Sequence, residues 1–177
     1  DGGRAGCAAA ARAASARGRR VFVADLTGTG ELPATWQCHM LLAAAGERPL
    51  GVLAGQLLAL ERWVGDLCGQ PCHVQAAGQV LSVVALVAAA LEPRLVRSLT
   101  TAGLPDTFRR LLDWPVAYGA AAPLFCPGLL RLCDIGDLID LAAPVPVAEA
   151  GRGPLRLPRR AAAAAVTLTP ARARKPA

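Results

Sequence analysis

Apolar residues recur along the chain with two different periods, and these periods predict an alternation of helices and strands. A helix is predicted after Pro49, because Leu53, Leu57, Leu60, Val64 and Leu67 are spaced by three or four positions. Residues 80–91 are apolar on nearly every side, which predicts a buried helix. Short apolar runs predict strands near residues 21–25, 73–77, 95–101 and 145–148.

The remaining segments complete an α/β pattern. Residues 5–17 predict an alanine-rich surface helix, and short helical segments are predicted at 107–112 and 137–141. Prolines and glycines predict loops after residue 33 and across 115–128. Helices and strands in alternation predict a mostly parallel sheet covered by helices. Four polar residues fall outside the apolar stripe of the helix after Pro49 and are expected at its surface: Gln56, Glu61, Arg62 and Asp66.

The net charge of +6 is unevenly distributed along the 177 residues. Residues 151–177 contain seven basic and no acidic residues, so that residues 1–150 hold the other 12 basic and all 13 acidic residues. We therefore predict one domain over 1–150, a basic low-complexity tail over 151–177 that adds little to stability, and no binding of nucleic acid.

Metal, cofactor and membrane sites are not predicted. Six cysteines are scattered along the chain, and Cys72 and His73 are adjacent in a predicted strand, so that their side chains point to opposite faces. The longest apolar run, 83–91, has about half of the ~20 residues that span a membrane. No signal peptide is visible, and the sequence assigns no location.

Three segments occur in an order that is typical of one superfamily. The sequence VFVADLTGTGEL at 21–32 has a strand followed by a turn of the form D-x-R-G-x-G-E, except that Thr27 replaces the arginine. Residues 49–64 form the second segment, and residues 73–99 form the third. Together they resemble the α/β-hydrolase superfamily, in its acetyl-xylan-esterase-like and peptidase-like branch. The turn residues in register are Asp25, Gly28, Gly30 and Glu31.

The resemblance implies a three-layer α/β-hydrolase sheet, here partial because the N-terminal strands are missing. It places the nucleophile elbow G-x-S-x-G over residues 77–81, with Gln79 at the position of the serine. Around it stand Ala77, Gly78 and Val80. Glutamine has no nucleophilic oxygen, so triad attack cannot begin at this position.

The other parts of a catalytic triad are not recognised either. Glu149 is the only carboxylate near the expected acid, and no histidine follows His73. Ser82 is expected to be a buried helix hydroxyl that bonds a backbone carbonyl, and His39 is expected to be a solvent-facing or packed histidine in a loop. In this superfamily, part of the oxyanion hole would precede residue 1.

Three functions remain open from the sequence. The first is an inactive hydrolase-like domain, a pseudoenzyme or a piece of a longer polypeptide, that binds a carbohydrate, an acyl ester or neighbouring domains of a longer chain. The second is a fragment of an active carboxylic-ester hydrolase or serine peptidase. The third is a non-enzymatic α/β module that binds nucleotides at residues 28–30, although only G-x-G of a G-x-G-x-x-G pattern is present.

Overall fold

A computed structural model describes residues 3–30, 35–113, 116–150 and 166–170 of the chain. Strands and helices alternate through residue 149, as predicted. The strands are β1 (Phe22–Ala24), β2 (Cys72–Ala77), β3 (Val96–Ala102), β4 (Val147–Glu149) and β5 (Val166–Pro170). The α-helices are α1 (Gly3–Ser15), α2 (Trp36–Ala44), α3 (Pro49–Cys68), α4 (Gln79–Leu91), α5 (Arg110–Asp113), α6 (Tyr118–Ala121) and α7 (Ile135–Leu141). Short 3₁₀ helices span Pro93–Leu95, Ala122–Leu124 and Leu129–Arg131.

The five strands form one open, mixed sheet in the order β1-β5-β2-β3-β4. β2, β3 and β4 are parallel, and each crossover between them runs through helices. β5 is antiparallel to both of its neighbours, β1 and β2. The chain is therefore an α/β fold, as predicted, and the four predicted strands are all present.

β5 lies in the segment that the sequence analysis assigns to a low-complexity tail. Leu168 pairs with Phe22 on one side and Val74 on the other, and its side chain is buried. The expectation that this segment is a low-complexity tail that adds little to stability is therefore wrong for Val166–Pro170, which form a strand inside the sheet. Residues 151–165 and 171–177 lie outside the described residues, and the domain boundary at residue 150 stays a prediction.

The core lies between one face of the sheet and helices α3 and α4. On β2 the buried side chains alternate, as the period of two requires, whereas on β3 the buried residues are Val96, Leu99 and Thr101, because the register between the two strands shifts beside His73. α4 is buried along most of its length, which confirms the prediction from its apolar sequence. The sheet residues in this core are Cys72, Val74, Ala76, Val96, Leu99 and Leu168.

Two predictions about individual segments were wrong. Residues 36–44 form α2 rather than a loop, and His39 is buried in it, so the packed alternative for this histidine is confirmed. Glu61 was expected at the surface of α3, but its side chain is completely buried. It follows Leu57 by four residues and therefore lies on the same face of the helix as the core leucines.

Among the described residues, the excursion between β3 and β4 holds α5, α6 and two short 3₁₀ helices before it reaches α7. Asp134 caps α7, with its side chain accepting from the Ile135 N–H at 2.8 Å, and Asp137 completes the capping box. The same Asp134 carboxylate accepts from the Thr107 hydroxyl and from the Phe108 N–H at 2.7 Å. This side chain thus ties the segment after β3 to the start of α7.

Candidate functional site

The elbow positions lie at a tight turn between β2 and α4. Gly78 has φ 88° and ψ 154°, a conformation that side chains disfavour, and α4 begins at the next residue, Gln79. The Gly78 N–H donates to the Ala102 carbonyl at 2.8 Å, and a Cβ on Gly103 would stand 3.6 Å from the Gln79 nitrogen. The backbone here is a sharp strand-to-helix turn held against the end of β3.

Gln79 presents only an amide at this turn. Its side chain is partly exposed, and an amide offers neither a nucleophilic oxygen nor a titratable proton. Ser82 lies one helical turn later, is completely buried, and donates its hydroxyl to the Ala102 carbonyl at 3.4 Å. The expected bond to a backbone carbonyl is therefore present, although the carbonyl belongs to β3 and not to the helix itself.

Neither histidine lies at the turn between β2 and α4: His73 is near the start of β2, and His39 is buried in α2. His73 lies four residues before the end of β2, which corresponds to about 13 Å along the strand. His39 is buried in α2, burial lowers its pKa, and its Nδ1 has no hydrogen-bond partner among the described residues. Neither histidine is hydrogen-bonded to Gln79 or Ser82 within the described part of the chain. Glu149 ends β4 and is half-buried.

The turn after β1 keeps its shape through glycines and side-chain bonds. Gly28 and Gly30 have φ of 85° and 57°, and a Cβ on Gly30 would come within 2.2 Å of the Asp25 carboxyl carbon. The backbone of Gly30 therefore rests directly on the Asp25 carboxylate, where no side chain fits. Glu31, the last residue of the motif, lies outside the described residues.

Gln56 of α3 anchors this turn. Its Oε1 accepts from the Thr27 N–H at 3.1 Å, and its Nε2 donates to the Thr27 hydroxyl at 2.7 Å. The two bonds connect the turn to α3. They are made by Thr27, which occupies the position where the resemblance implies an arginine. The Thr29 N–H and hydroxyl both donate to the Leu26 carbonyl, at 2.9 and 2.7 Å. This amide is therefore unavailable to a phosphate group, and α2 begins only at Trp36.

A serine and a histidine meet on the other face of the sheet. His73 and Ser98 are paired residues on β2 and β3, and the His73 Nδ1 and Ser98 Oγ atoms are 2.5 Å apart. Burial lowers the pKa of His73, and the nearby positive charges of Arg19 and Arg97 lower it further. Sequence reasoning missed this pair because it depends on the register between two strands, for which the sequence has no local signal.

This pair lacks the other parts of a hydrolytic site. Both residues lie within paired strands, with a register shift between Cys72 and His73, and the pairing of strands uses backbone N–H groups that an oxyanion hole would need. No carboxylate is hydrogen-bonded to His73 within the described residues. Across the same ranges, no group of three or more histidine, cysteine or acidic residues is arranged to hold a metal ion.

No family model matches the chain, and no curated protein or solved structure matches it. None of the described helices combines the length and the apolar character needed to cross a membrane.

Proposed function

We propose that this chain is an α/β-hydrolase-like domain related to acetyl xylan esterases that has no hydrolase activity as it stands and acts through binding. The observation that carries this proposal is the turn at Gly78, which directs the chain from β2 into α4 and places Gln79 at its tip. Glutamine cannot take part in nucleophilic attack on an acyl group.

The surroundings of the turn support the proposal. Ser82 is the next hydroxyl along α4, and it is completely buried and bonded to Ala102. His73 stands at the opposite end of β2, too far to act as its base. A serine without a base is a weak nucleophile at neutral pH, and members of a triad act as a unit.

An esterase assay with a fluorophosphonate probe tests the proposal. The wild type and Gln79→Ser are assayed side by side with p-nitrophenyl acetate, and the probe-labelled residue is identified by mass spectrometry. We expect no turnover above background from either protein, because the variant gains a hydroxyl and no base. Labelling of the variant at residue 79 but not of the wild type would support the elbow geometry.

Labelling of the wild type separates the alternatives. Stoichiometric labelling at Ser82 or Ser98 would contradict an inactive domain and would identify the reactive serine. The controls are Ser82→Ala and Ser98→Ala, each of which removes one hydroxyl and leaves the other in place. Turnover that disappears in only one of them would assign an activity to that residue.

A further inference from the structure

An open cleft of about 490 Å³ lies between the segment after β3 and the chain from Leu124 to Arg131. Its walls are mostly apolar, with the rings of Phe108 and Phe125 and several leucines among them. Pockets of about 300–1,000 Å³ with apolar walls and few polar groups are typical of small-molecule sites. The cleft therefore has the size and surface of a ligand site.

The charges at this cleft are of one sign. Its charged lining residues are Arg109 and Arg131, both exposed, and no acidic side chain is among the described lining residues. Asp134 is near Arg109, but its carboxylate already accepts hydrogen bonds from the Thr107 hydroxyl and from the Phe108 and Ile135 N–H groups. An apolar surface with two exposed guanidinium groups is complementary to a molecule with an apolar body and an anionic end.

One wall of the cleft is fixed in place. Asp134 holds Thr107 and the Phe108 backbone against the start of α7, and Phe108 is itself buried. On the opposite wall, Leu124 is buried in the core and Phe125 packs against it. Ligand binding to preformed walls avoids the cost of ordering them.

We propose that this cleft binds the carboxylate of a medium-length alkyl chain, with the chain against Phe108 and Phe125 and the carboxylate at Arg109 and Arg131. A carbohydrate fits less well, because its hydroxyls need many polar partners and the lining side chains provide few. The proposal depends only on the lining and charge of the cleft and not on the resemblance to hydrolases. Its failure would leave the proposal for Gln79 unchanged.

Calorimetric titration of the full chain with octanoate and decanoate tests the proposal. We expect one site and about fourfold tighter binding for each added methylene, so that decanoate binds about 15-fold more tightly than octanoate. Octylammonium, which has the same chain and the opposite charge, is expected not to bind. Equal binding of octylammonium and octanoate, or no binding of decanoate, would overturn the proposal.

Variants that remove single positive charges show whether Arg109 and Arg131 bind the carboxylate directly or whether decanoate is attracted only by the net positive charge of the protein. Arg109→Gln and Arg131→Gln are each expected to weaken decanoate binding about fivefold and to reduce its dependence on salt. Arg94→Gln, at an exposed arginine outside the cleft, is the matched control and is expected to bind as the wild type does. Loss of affinity in all three variants alike would contradict a defined site.

A second pair of variants locates the site without touching an arginine. Leu112 lines the cleft and is 76% exposed, whereas Leu132 lies outside the lining and is 85% exposed. Since both leucines are exposed, a glutamate at either position should leave the fold intact. Leu112→Glu is expected to weaken decanoate binding at least fivefold by repulsion, and Leu132→Glu is expected to have no effect. The reverse result would place the ligand elsewhere.

Discussion

The two faces of the sheet differ in what covers them within the described residues. On one face, Val74 and Leu99 pack under α3 and α4 and are almost completely buried. On the other face of the same strands, Gln75 is exposed and Thr100 is half-buried. Neighbouring residues on one strand therefore have opposite environments, and we call the two surfaces the covered face and the open face.

The titratable groups follow the same division. Glu61 points into the covered face, where burial raises its pKa to about 8 and Arg62 lowers it less strongly. His73 is on the open face, where burial and two arginines lower its pKa. The Glu61 carboxyl on the covered face therefore stays protonated to a higher pH than an ordinary carboxyl, and the His73 ring on the open face stays neutral to a lower pH than an ordinary histidine. The covered face holds most of the buried apolar side chains of the sheet, and the His73–Ser98 pair lies on the open face.

The largest effect is expected from removing β5, which contributes to both faces. A chain that ends before Val166 loses Leu168 from the covered face and separates β1 from β2. We expect a loss of about 5 kcal/mol or more in the free energy of unfolding, enough to unfold most small domains. Circular dichroism during thermal unfolding measures it, with a chain ending at Pro170 as the control. Equal melting temperatures for the two chains would show that β5 adds nothing.

Leu99 and Thr100 compare the two faces on one strand. Leu99 is completely buried on the covered face, so Leu99→Ala is expected to cost about 2–5 kcal/mol in the free energy of unfolding. Thr100→Ala, on the open face, is the matched control and is expected to cost less than about 1 kcal/mol. Urea denaturation measures both. Equal costs would mean that a further part of the molecule covers the open face.

The parts of the fold that the sequence predicts are those with a local pattern. α3 and α4 follow from the spacing of their apolar residues, and the turn between β2 and α4 follows from Gly78. α2 was missed because its apolar residues have no stripe and because Pro33 and Trp36 suggested a loop. β5 alternates threonine with apolar residues, which is a strand signal, but the surrounding alanines and arginines obscured it.

The candidate site is predicted only in part, because its contacts join distant segments. The sequence predicts a turn at Gly78 and Gln79, and the structure confirms that turn, whereas the equivalence of Gln79 to a nucleophile stays a prediction. The bonds between Gln56 and Thr27, between His73 and Ser98, and between Asp134 and Phe108 link residues 25 or more positions apart. No local pattern encodes such pairs. Glu61 was misplaced because its charge was taken as evidence of exposure, although its position on α3 is that of a core residue.

The buried Glu61 on the covered face should make the free energy of unfolding depend on pH. Its pKa is about 8 in the folded chain, against an ordinary value of 4.5, and both carboxylate oxygens lack a partner among the described residues. Between these values the folded chain keeps a proton that the unfolded chain has released. The free energy of unfolding should therefore fall as pH rises from 4.5 to about 8 and level off above that.

Two variants of Glu61 test this dependence. Glu61→Gln is expected to remove the fall in stability, and Glu61→Met is expected to stabilise the chain by about 1–3 kcal/mol at pH 8. Urea denaturation from pH 5 to 8.5 measures both, with Glu47→Gln at an exposed position as the control. Burial and the Glu61 charge raise the pKa of Cys72 to about 12, so its thiol stays protonated over this range. An unchanged pH profile in Glu61→Gln would contradict a buried acid.

The smallest effects are expected on the open face, at His73 and Ser98. Ser98→Ala removes one partly buried hydrogen bond and is expected to cost about 0.5–1.5 kcal/mol in the free energy of unfolding. The pKa of His73 in the folded chain lies below the ordinary value of 6.5, so the unfolded chain gains a proton first as pH falls. Stability should therefore decrease below about pH 6.5, opposite in direction to the effect of Glu61.

Burial and nearby positive charge both lower the pKa of His73, and their contributions can be measured separately. Arg97→Gln removes one of the two positive charges that disfavour the protonated ring, so the pKa should rise, but only part of the way because burial is the larger cause. Titration of the two histidine rings by NMR measures this, and His39 serves as an internal reference because burial alone lowers its pKa. Arg94→Gln is the matched control, since Arg94 is not among the charges acting on His73. If Arg97→Gln leaves the His73 titration unchanged, or if Arg94→Gln shifts it equally, the open face does not bring this arginine close to the His73–Ser98 pair.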